Sequence, residues 1–303
     1  MTVTDQATRG GHDRAAAVRR LVWLASYPKS GNTWTRLFLS QFLTGSVAAV
    51  DLNAIELHGS ISSSRPSFDE VVGLPSSDLT DDEVDELRPR VYEAWAGSGA
   101  GTSFIKVHDA NRTLPAGERL FPASLTECAV HLVRNPLDVA VSLAFHQGHR
   151  DYDRTIRQLN DPGRVIAGNR RSQLRQTLLD WSGHARSWTG ERAFPVATFR
   201  YESLVADPIG EFARLVAFLD LDGADDRARV ELAVAGTRFD VLQSAEAATG
   251  FRERHHWQGR FFRTGRPGEW RTRLSASQVT SVVDAHGAVM RRFGYVDDAG
   301  FPC

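Results

Sequence analysis

Lysine is almost missing from this chain of 303 residues: Lys29 and Lys106 are the only two among 36 basic side chains. Cysteine is as scarce, with Cys128 and Cys303 far apart in sequence. Two such cysteines form no disulfide framework and fit a reducing compartment. No stretch approaches the roughly 18 consecutive apolar residues of a membrane-spanning helix. Residues 1–20 are polar and arginine-bearing, without the apolar run of a signal peptide. The expectation is a cytoplasmic protein with no membrane partner. Excess charge of either sign is missing too: the formal net charge is −1, so no global basic field points to nucleic acid. Any anion site must be built locally. An arginine bias this strong can come from genomic base composition, but it makes each remaining lysine worth locating.

What is present is a chain of ordinary globular composition, 42% hydrophobic and 24% charged. Its apolar runs are short and alternate with helical periodicity. Strands are expected at 21–27 (LVWLASY), 103–108 (SFIKVH), 127–133 (ECAVHLV) and about 194–200. Between them, helical spacing begins at Thr33, at about 81 and at Pro136, and a further helix holds Leu178, Trp181 and Trp188. Asp207-Pro208 reads as a cap followed by the first helical residue, and Ser275 with Gln278 as a capping box. Residues 59–80 are expected to be a surface loop, 148–172 a flexible polar segment, and 245–271 shows no clear period. Strands alternating with helices predict an α/β fold, one domain with a mainly parallel central sheet flanked by helices. The domain is expected over 21–296, between a disordered tail through about Arg20 and a short C-terminal tail at 297–303.

The strongest chemical signal is Tyr27-Pro28-Lys29-Ser30-Gly31-Asn32-Thr33-Trp34, between the first strand and the first helix. A loop feeding a helix N-terminus meets unpaired N–H groups and a partial positive charge, which suits a phosphate. Gly31 permits close backbone approach, Ser30, Asn32 and Thr33 add short donors, and Lys29 adds a full charge. The bland reading is a strand–helix turn punctuated by Pro and Gly. A Walker A loop needs G-x-x-x-x-G-K-[ST], which this loop lacks, so an ordinary P-loop kinase or ATPase is disfavoured. The second signal is Arg134-Asn135-Pro136-Leu137-Asp138-Val139-Ala140-Val141-Ser142. Arg134 ends a strand, where open α/β sheets place ligands, and Ser142 lies two turns along the next helix. Alone, such an arginine is as often a surface ion-pair residue.

The first segment resembles the YPKSGTTW signature of sulfotransferases that use 3′-phosphoadenosine-5′-phosphosulfate (PAPS), with Asn32 in place of Thr. The second resembles the same family's RNPKDVAVS stretch, with Leu137 in place of Lys. The resemblance implies Lys29 acting on the sulfate, Ser30 to Thr33 holding the 5′-phosphate, and Trp34 stacking on adenine. It further implies Arg134 and Ser142 at the 3′-phosphate. Asn32 is expected to keep a donor in the loop, and Leu137 to occupy a solvated position. Thr237-Arg238-Phe239 resembles the family's Thr-Ser-Phe element near the adenine. Tyr201-Glu202 resembles its Tyr-Glu pair, whose tyrosine contacts the nucleotide. Arg263-Thr264-Gly265 with Gly268-Glu269-Trp270 resembles the Arg-Lys-Gly segment that closes over the 3′-phosphate.

Ten histidines compete for the role of base. His108 ends its strand two residues after Lys106, and alternation puts both on the same side. The pair resembles the family's Lys-Thr-His, whose histidine is the general base. An imidazole near its unperturbed pKa of about 6.5 suits that task. His255 and His256 are outside candidates. The implied activity is in-line sulfuryl transfer to a hydroxyl of a small-molecule acceptor, with no metal required. His108 would take the proton, Lys29 would offset charge on the leaving oxygen, and Lys106 would assist. The rivals are an atypical nucleotide-dependent kinase and a silent nucleotide-binding domain. Phe145, Phe251, Trp257, Phe261 and Phe262 point either to a flat apolar acceptor or to packing of a lid over 245–271. Oligomeric state stays open.

Overall fold

Residues 20–26 are buried along nearly their whole length, and that is what a central parallel strand demands. The computed structural model describes residues 19–46, 50–55, 57, 61–166, 168 and 172–303. The tail expected through Arg20 falls almost wholly outside them. Four strands, β1 (Arg20–Ser26), β2 (Thr102–Val107), β3 (Thr126–Val133) and β6 (Val196–Arg200), form one sheet in the order β2-β1-β3-β6. Every pairing is parallel. A two-stranded antiparallel ribbon pairs β4 (Val165–Ile166) with β5 (Gln176–Thr177).

Alternation along β1 sends Val22 and Leu24 to one face and Leu21, Trp23 and Ala25 to the other. On the first face lie α1 (Asn32–Thr44), α8 (Pro208–Phe218) and α9 (Arg227–Gly236); Phe38 of α1 stacks on Phe212 of α8 with ring centroids 3.9 Å apart. On the second face α3 (Asp81–Gly97) and α6 (Trp181–Thr189) bring Tyr92 and Trp188 against Trp23 and Phe121. A third apolar cluster joins α4 (Pro136–His146), α5 (Tyr152–Asn160) and α12 (Ala276–Arg292). The predicted caps form: Asp207 accepts from the Gly210 amide, and Ser275 and Gln278 make a reciprocal box.

Several expectations fail locally. The 59–80 loop contains α2 (Arg65–Val72), capped by Ser64 and burying Phe68. The 148–172 segment contains α5, capped by Asp151 and burying Ile156 and Leu159. Leu178 precedes α6 instead of belonging to it, because Asp180 caps that helix at Gly183. The start of 245–271 belongs to α10 (Phe239–Thr249), and its end enters the short α11 (Trp270–Arg273). Residues 297–303 turn back, and the Cys303 amide donates to the Tyr295 carbonyl at 3.0 Å. Among the described residues no helix is long and apolar enough to cross a membrane.

Candidate active site

The carboxyl ends of all four parallel strands meet at one cavity. In the order β2-β1-β3-β6, the chain leaves β1 for one neighbour and later returns to the other, so a crevice opens outside the ends of β1 and β3. The loop after β1 supplies Lys29 and Gly31, Arg134 follows directly on β3, β2 supplies Lys106 with His108 just beyond its end, and β6 leads into Tyr201. The cavity measures about 1420 Å³. That exceeds the roughly 300–1,000 Å³ of a site for one small ligand and leaves room for two.

Backbone shape sets the loop. Lys29 adopts φ 73° and Gly31 φ 103°. A Cβ on Gly31 would come within 2.9 Å of the Tyr201 ring, so glycine is required on both counts. Arg134 lies over the same ring, 4.3 Å from its centre, and donates to the Lys29 carbonyl at 3.2 Å. The Tyr201 hydroxyl donates to the Gly265 carbonyl at 2.8 Å. Gly265 in turn passes so close to Phe239 that a Cβ would lie 2.3 Å from that ring. Ser142 faces the cavity from α4. Trp34 donates its indole N–H to the Thr237 carbonyl at 2.9 Å, and its ring packs edge-on to Tyr201 and Phe212. The Thr237 hydroxyl is turned inward to the Ala233 carbonyl. Arg263 is engaged by Glu269, which also accepts from the Thr264 hydroxyl at 3.1 Å. Asp138 pins this closing segment to α4 by accepting from the Gly268 and Trp270 amides.

Two substitutions behave differently from expectation. Asn32 donates its amide to the Leu24 carbonyl at 2.8 Å and the Ser26 hydroxyl at 3.2 Å, so this donor braces the strand end instead of serving the loop. Leu137 is fully buried in the core, not solvated.

His108 Nδ1 lies 2.8 Å from the Ser26 carbonyl oxygen, which can only accept. Nδ1 therefore carries the proton and Nε2 keeps its lone pair. Burial, with the Lys106 ammonium nearby, pushes the His108 pKa down to about 3, well below the unperturbed value expected. Burial and the charges of Lys106 and Arg134 likewise push Lys29 down to about 8. Its ammonium sits 4.6 Å over the Phe261 ring. Burial lowers Lys106 as well, against an opposing pull from Glu253.

The sulfotransferase domain family matches residues 19–294, nearly the whole chain. The chain belongs to the sulfotransferase family. No curated protein matches the sequence. Among solved structures, this sulfotransferase is similar to mouse sulfotransferase SULT7A1 in complex with PAP, at 20% identity and TM-score 0.54, covering 94% of this chain and 89% of that one. It is also similar to a retinol dehydratase in complex with androsterone and PAP, at 17% identity and TM-score 0.60, covering 89% and 80%. At these identities the likeness is one of fold.

Asp109, His184, His146 and Glu253 in the site of this sulfotransferase escaped the sequence reading. Asp109, fully buried beside His108, takes a two-point ion pair from Arg88 at 2.7 and 3.1 Å and accepts the Thr177 amide at 3.0 Å. His184 donates Nε2–H to the His108 carbonyl at 3.2 Å. Together they fix the backbone that carries the imidazole. His146 and His255 lie 4.7 Å apart on the cavity wall with their rings tilted, and half-exposed Trp257 stacks on His255. His256 packs edge-on against Trp257. Glu253 sits among Thr33, Arg36 and Lys106. The phenylalanines pack the covering segment: Phe251 and Phe262 are buried against Leu37 and Leu242, and Phe145 lies under the Arg263 guanidinium.

Proposed function

We propose that this sulfotransferase takes its sulfuryl group from PAPS and passes it to a hydroxyl of a small-molecule acceptor, with residues 21–296 as the catalytic domain. The observation that carries the reading is the geometry of His108. Its Nδ1–H is tied to Ser26, and the cavity it lines is also lined by Lys29, Lys106 and Arg134. The cradle around the Lys29 loop fits an anionic nucleotide. Ser30 Oγ and Arg134 Nε are buried there without a hydrogen-bond partner in the protein, and a phosphate oxygen is the complement of both. PAP in the two solved relatives supports the same nucleotide here.

When bound, PAPS supplies an activated sulfuryl group. Around it, Ser30 to Thr33 present the N-terminus of α1 to the 5′-phosphate, and Arg134 with Ser142 takes the 3′-phosphate. Trp34, Tyr201, Thr237 and Phe239 flank the base, and Arg263, Thr264 and Gly265 cover the nucleotide. Lys29 places positive charge at the leaving oxygen, and Lys106 does so at the sulfuryl group. His108 Nε2 receives the acceptor's hydroxyl proton. No step uses a metal. Beyond the nucleotide groups the cavity is lined by both polar side chains, such as His146, Arg164 and Gln176, and apolar ones, such as Phe145, Leu178 and Phe261. The deciding experiment offers labelled PAPS in EDTA, and ATP with Mg²⁺, against a panel of alcohols, sugars and phenols. Transfer from PAPS alone is expected; transfer from ATP alone identifies a kinase, and nucleotide binding without transfer a silent domain.

A further inference from the structure

The N-terminus of α1 already holds an anion, and the chain itself supplies it. Glu253 Oε1 accepts from Arg36 at 2.8 Å, and Oε2 accepts from the Thr33 hydroxyl at 3.2 Å and lies 3.5 Å from the Lys106 ammonium. The Arg36 side chain is only 8% exposed and that of Lys106 14%. Cations this far from water need a counter-ion, and Glu253 is the carboxylate that meets both. Yet the Thr33 hydroxyl and the Lys106 ammonium are two of the groups assigned above to the phosphosulfate. They cannot serve a carboxylate and a phosphosulfate together, because the two anions would repel each other at contact distance.

We propose that Arg36 joins Thr33 and Lys106 as a ligand of the transferring phosphosulfate, and that Glu253 holds this place in the nucleotide-free protein until the nucleotide displaces it. The inference rests on the PAPS reading and extends it to two residues outside the motifs. Arg36 lies three residues beyond Thr33, so both lie on the same face of α1 near its N-terminus. Glu253 is carried on the span between Gly250, at φ 71°, and Gly259. Beyond that span the chain is anchored again, since buried Glu246 accepts from the Phe261 and Phe262 amides at 2.7 and 3.0 Å. Glu253 can therefore withdraw by a rearrangement of 252–259 that leaves α10 and the cluster of Phe251, Phe261 and Phe262 in place. Its pKa, held at about 2 by Lys106 and Arg36 against the effect of burial, keeps it charged at any working pH. The exchange is one anion for another and needs no protonation. Both cations keep a counter-ion throughout.

The test measures KM for PAPS, kcat, and the affinity for PAP in Glu253→Gln and Arg36→Gln. Removing the internal competitor should lower KM for PAPS about three- to tenfold in Glu253→Gln. The gain for PAP, which lacks the sulfuryl group facing Lys106, should be smaller. Arg36→Gln should raise KM for PAPS about tenfold or more. Thermal melting gives an independent reading: Glu253→Gln should melt lower than wild type without nucleotide and gain more from PAP. A Glu253→Gln variant that loses kcat with KM unchanged would make Glu253 a positioning group for Lys106 and overturn the proposal. Unchanged KM in folded Arg36→Gln would remove Arg36 from the site; if that variant does not fold, Arg36→Lys and the Glu253→Gln result still decide. Wild-type turnover separates the two levels of inference. A wild-type enzyme inert with PAPS brings down the donor reading, whereas an active one with unaltered Glu253→Gln kinetics brings down this proposal alone.

Discussion

The Ser26 carbonyl oxygen accepts a hydrogen bond from His108 Nδ1 at 2.8 Å, and this single contact selects the tautomer able to take a proton at Nε2. Replacing His108 by Ala should lower turnover by about 10²–10⁴-fold, the usual contribution of a general base. Affinity for PAP should stay within a few-fold, because the base acts on the acceptor. Since burial and Lys106 hold His108 near a pKa of about 3, it stays neutral through the working range. The acid limb of kcat/KM for the acceptor should therefore lie below about pH 5, and not near the 6.5 of a free imidazole. A variant retaining more than about a tenth of wild-type turnover would remove His108 from the mechanism.

Asp109 is the buried anchor behind that histidine. It is wholly inaccessible and pairs with Arg88, itself 1% exposed, while Arg88 also reaches Asp85. Truncating one partner leaves the other charge buried and alone, at a cost of about 3–5 kcal/mol. Asp109→Ala should show this loss in denaturant midpoint at unchanged slope, along with reduced turnover as the His108 backbone loosens. Arg88→Met should cost less in the double variant than the two single losses added together, since the pair then disappears as a unit.

The main strands, the Lys29 loop and the helix after Arg134 were legible because local rules govern them. An apolar run ended by PKSGN leaves few alternatives, and Pro136 at a helix start fits only one geometry. α2 and α5 were not legible, because each buries only one to three side chains and the rest of its sequence is charged or polar. Asn32 misled because the same amide can donate to a ligand or to the strand behind it. Only the tertiary position of Leu24 and Ser26 decides between them. Glu253 and Arg36 are 217 residues apart, and Arg88 and Asp109 belong to separate elements. No periodicity relates such partners, so the charges that tune the site emerged only from the fold.

Three other histidines make the fold acid-sensitive. His131, His184 and His286 are each 1% exposed, and burial depresses all three: His131 well below its usual range, His184 to about 3 and His286 to about 4. The unfolded chain therefore binds protons below about pH 6.5 that the folded chain does not. Their stabilising contribution is complete above that pH and is lost as pH falls toward the folded values. Between about pH 6 and 4, the folded-to-unfolded ratio should drop by up to about tenfold per histidine for each pH unit. Denaturant titrations across this range measure the slope, and His286→Gln should reduce it. A stability flat between pH 7 and 4.5 would show that these rings do not stay neutral.

Lys29 carries the opposite limb. Burial, with Lys106 and Arg134 adding repulsion, lowers it from the ordinary lysine value of 10.5 to about 8 in the nucleotide-free protein. The ammonium form prevails below that pH and is lost above it. Binding an anionic phosphosulfate requires the ammonium, so kcat/KM for PAPS should fall about tenfold per pH unit above about pH 8. Once the nucleotide is bound its negative charge favours the proton, so kcat at saturating PAPS should hold to higher pH. Lys29→Arg separates charge from shape. A guanidinium, with a pKa above about 12, removes the alkaline limb altogether. It is also a broad planar fork, whereas the Lys29 ammonium is a compact charge seated 4.6 Å over the Phe261 ring. The variant should therefore lose most of its kcat while becoming insensitive to pH between about 7 and 10. Normal kcat in Lys29→Arg would mean that any cation suffices there, and that the lysine survives among arginines for no chemical reason. A persistent limb near pH 8 in the same variant would assign that titration to another group.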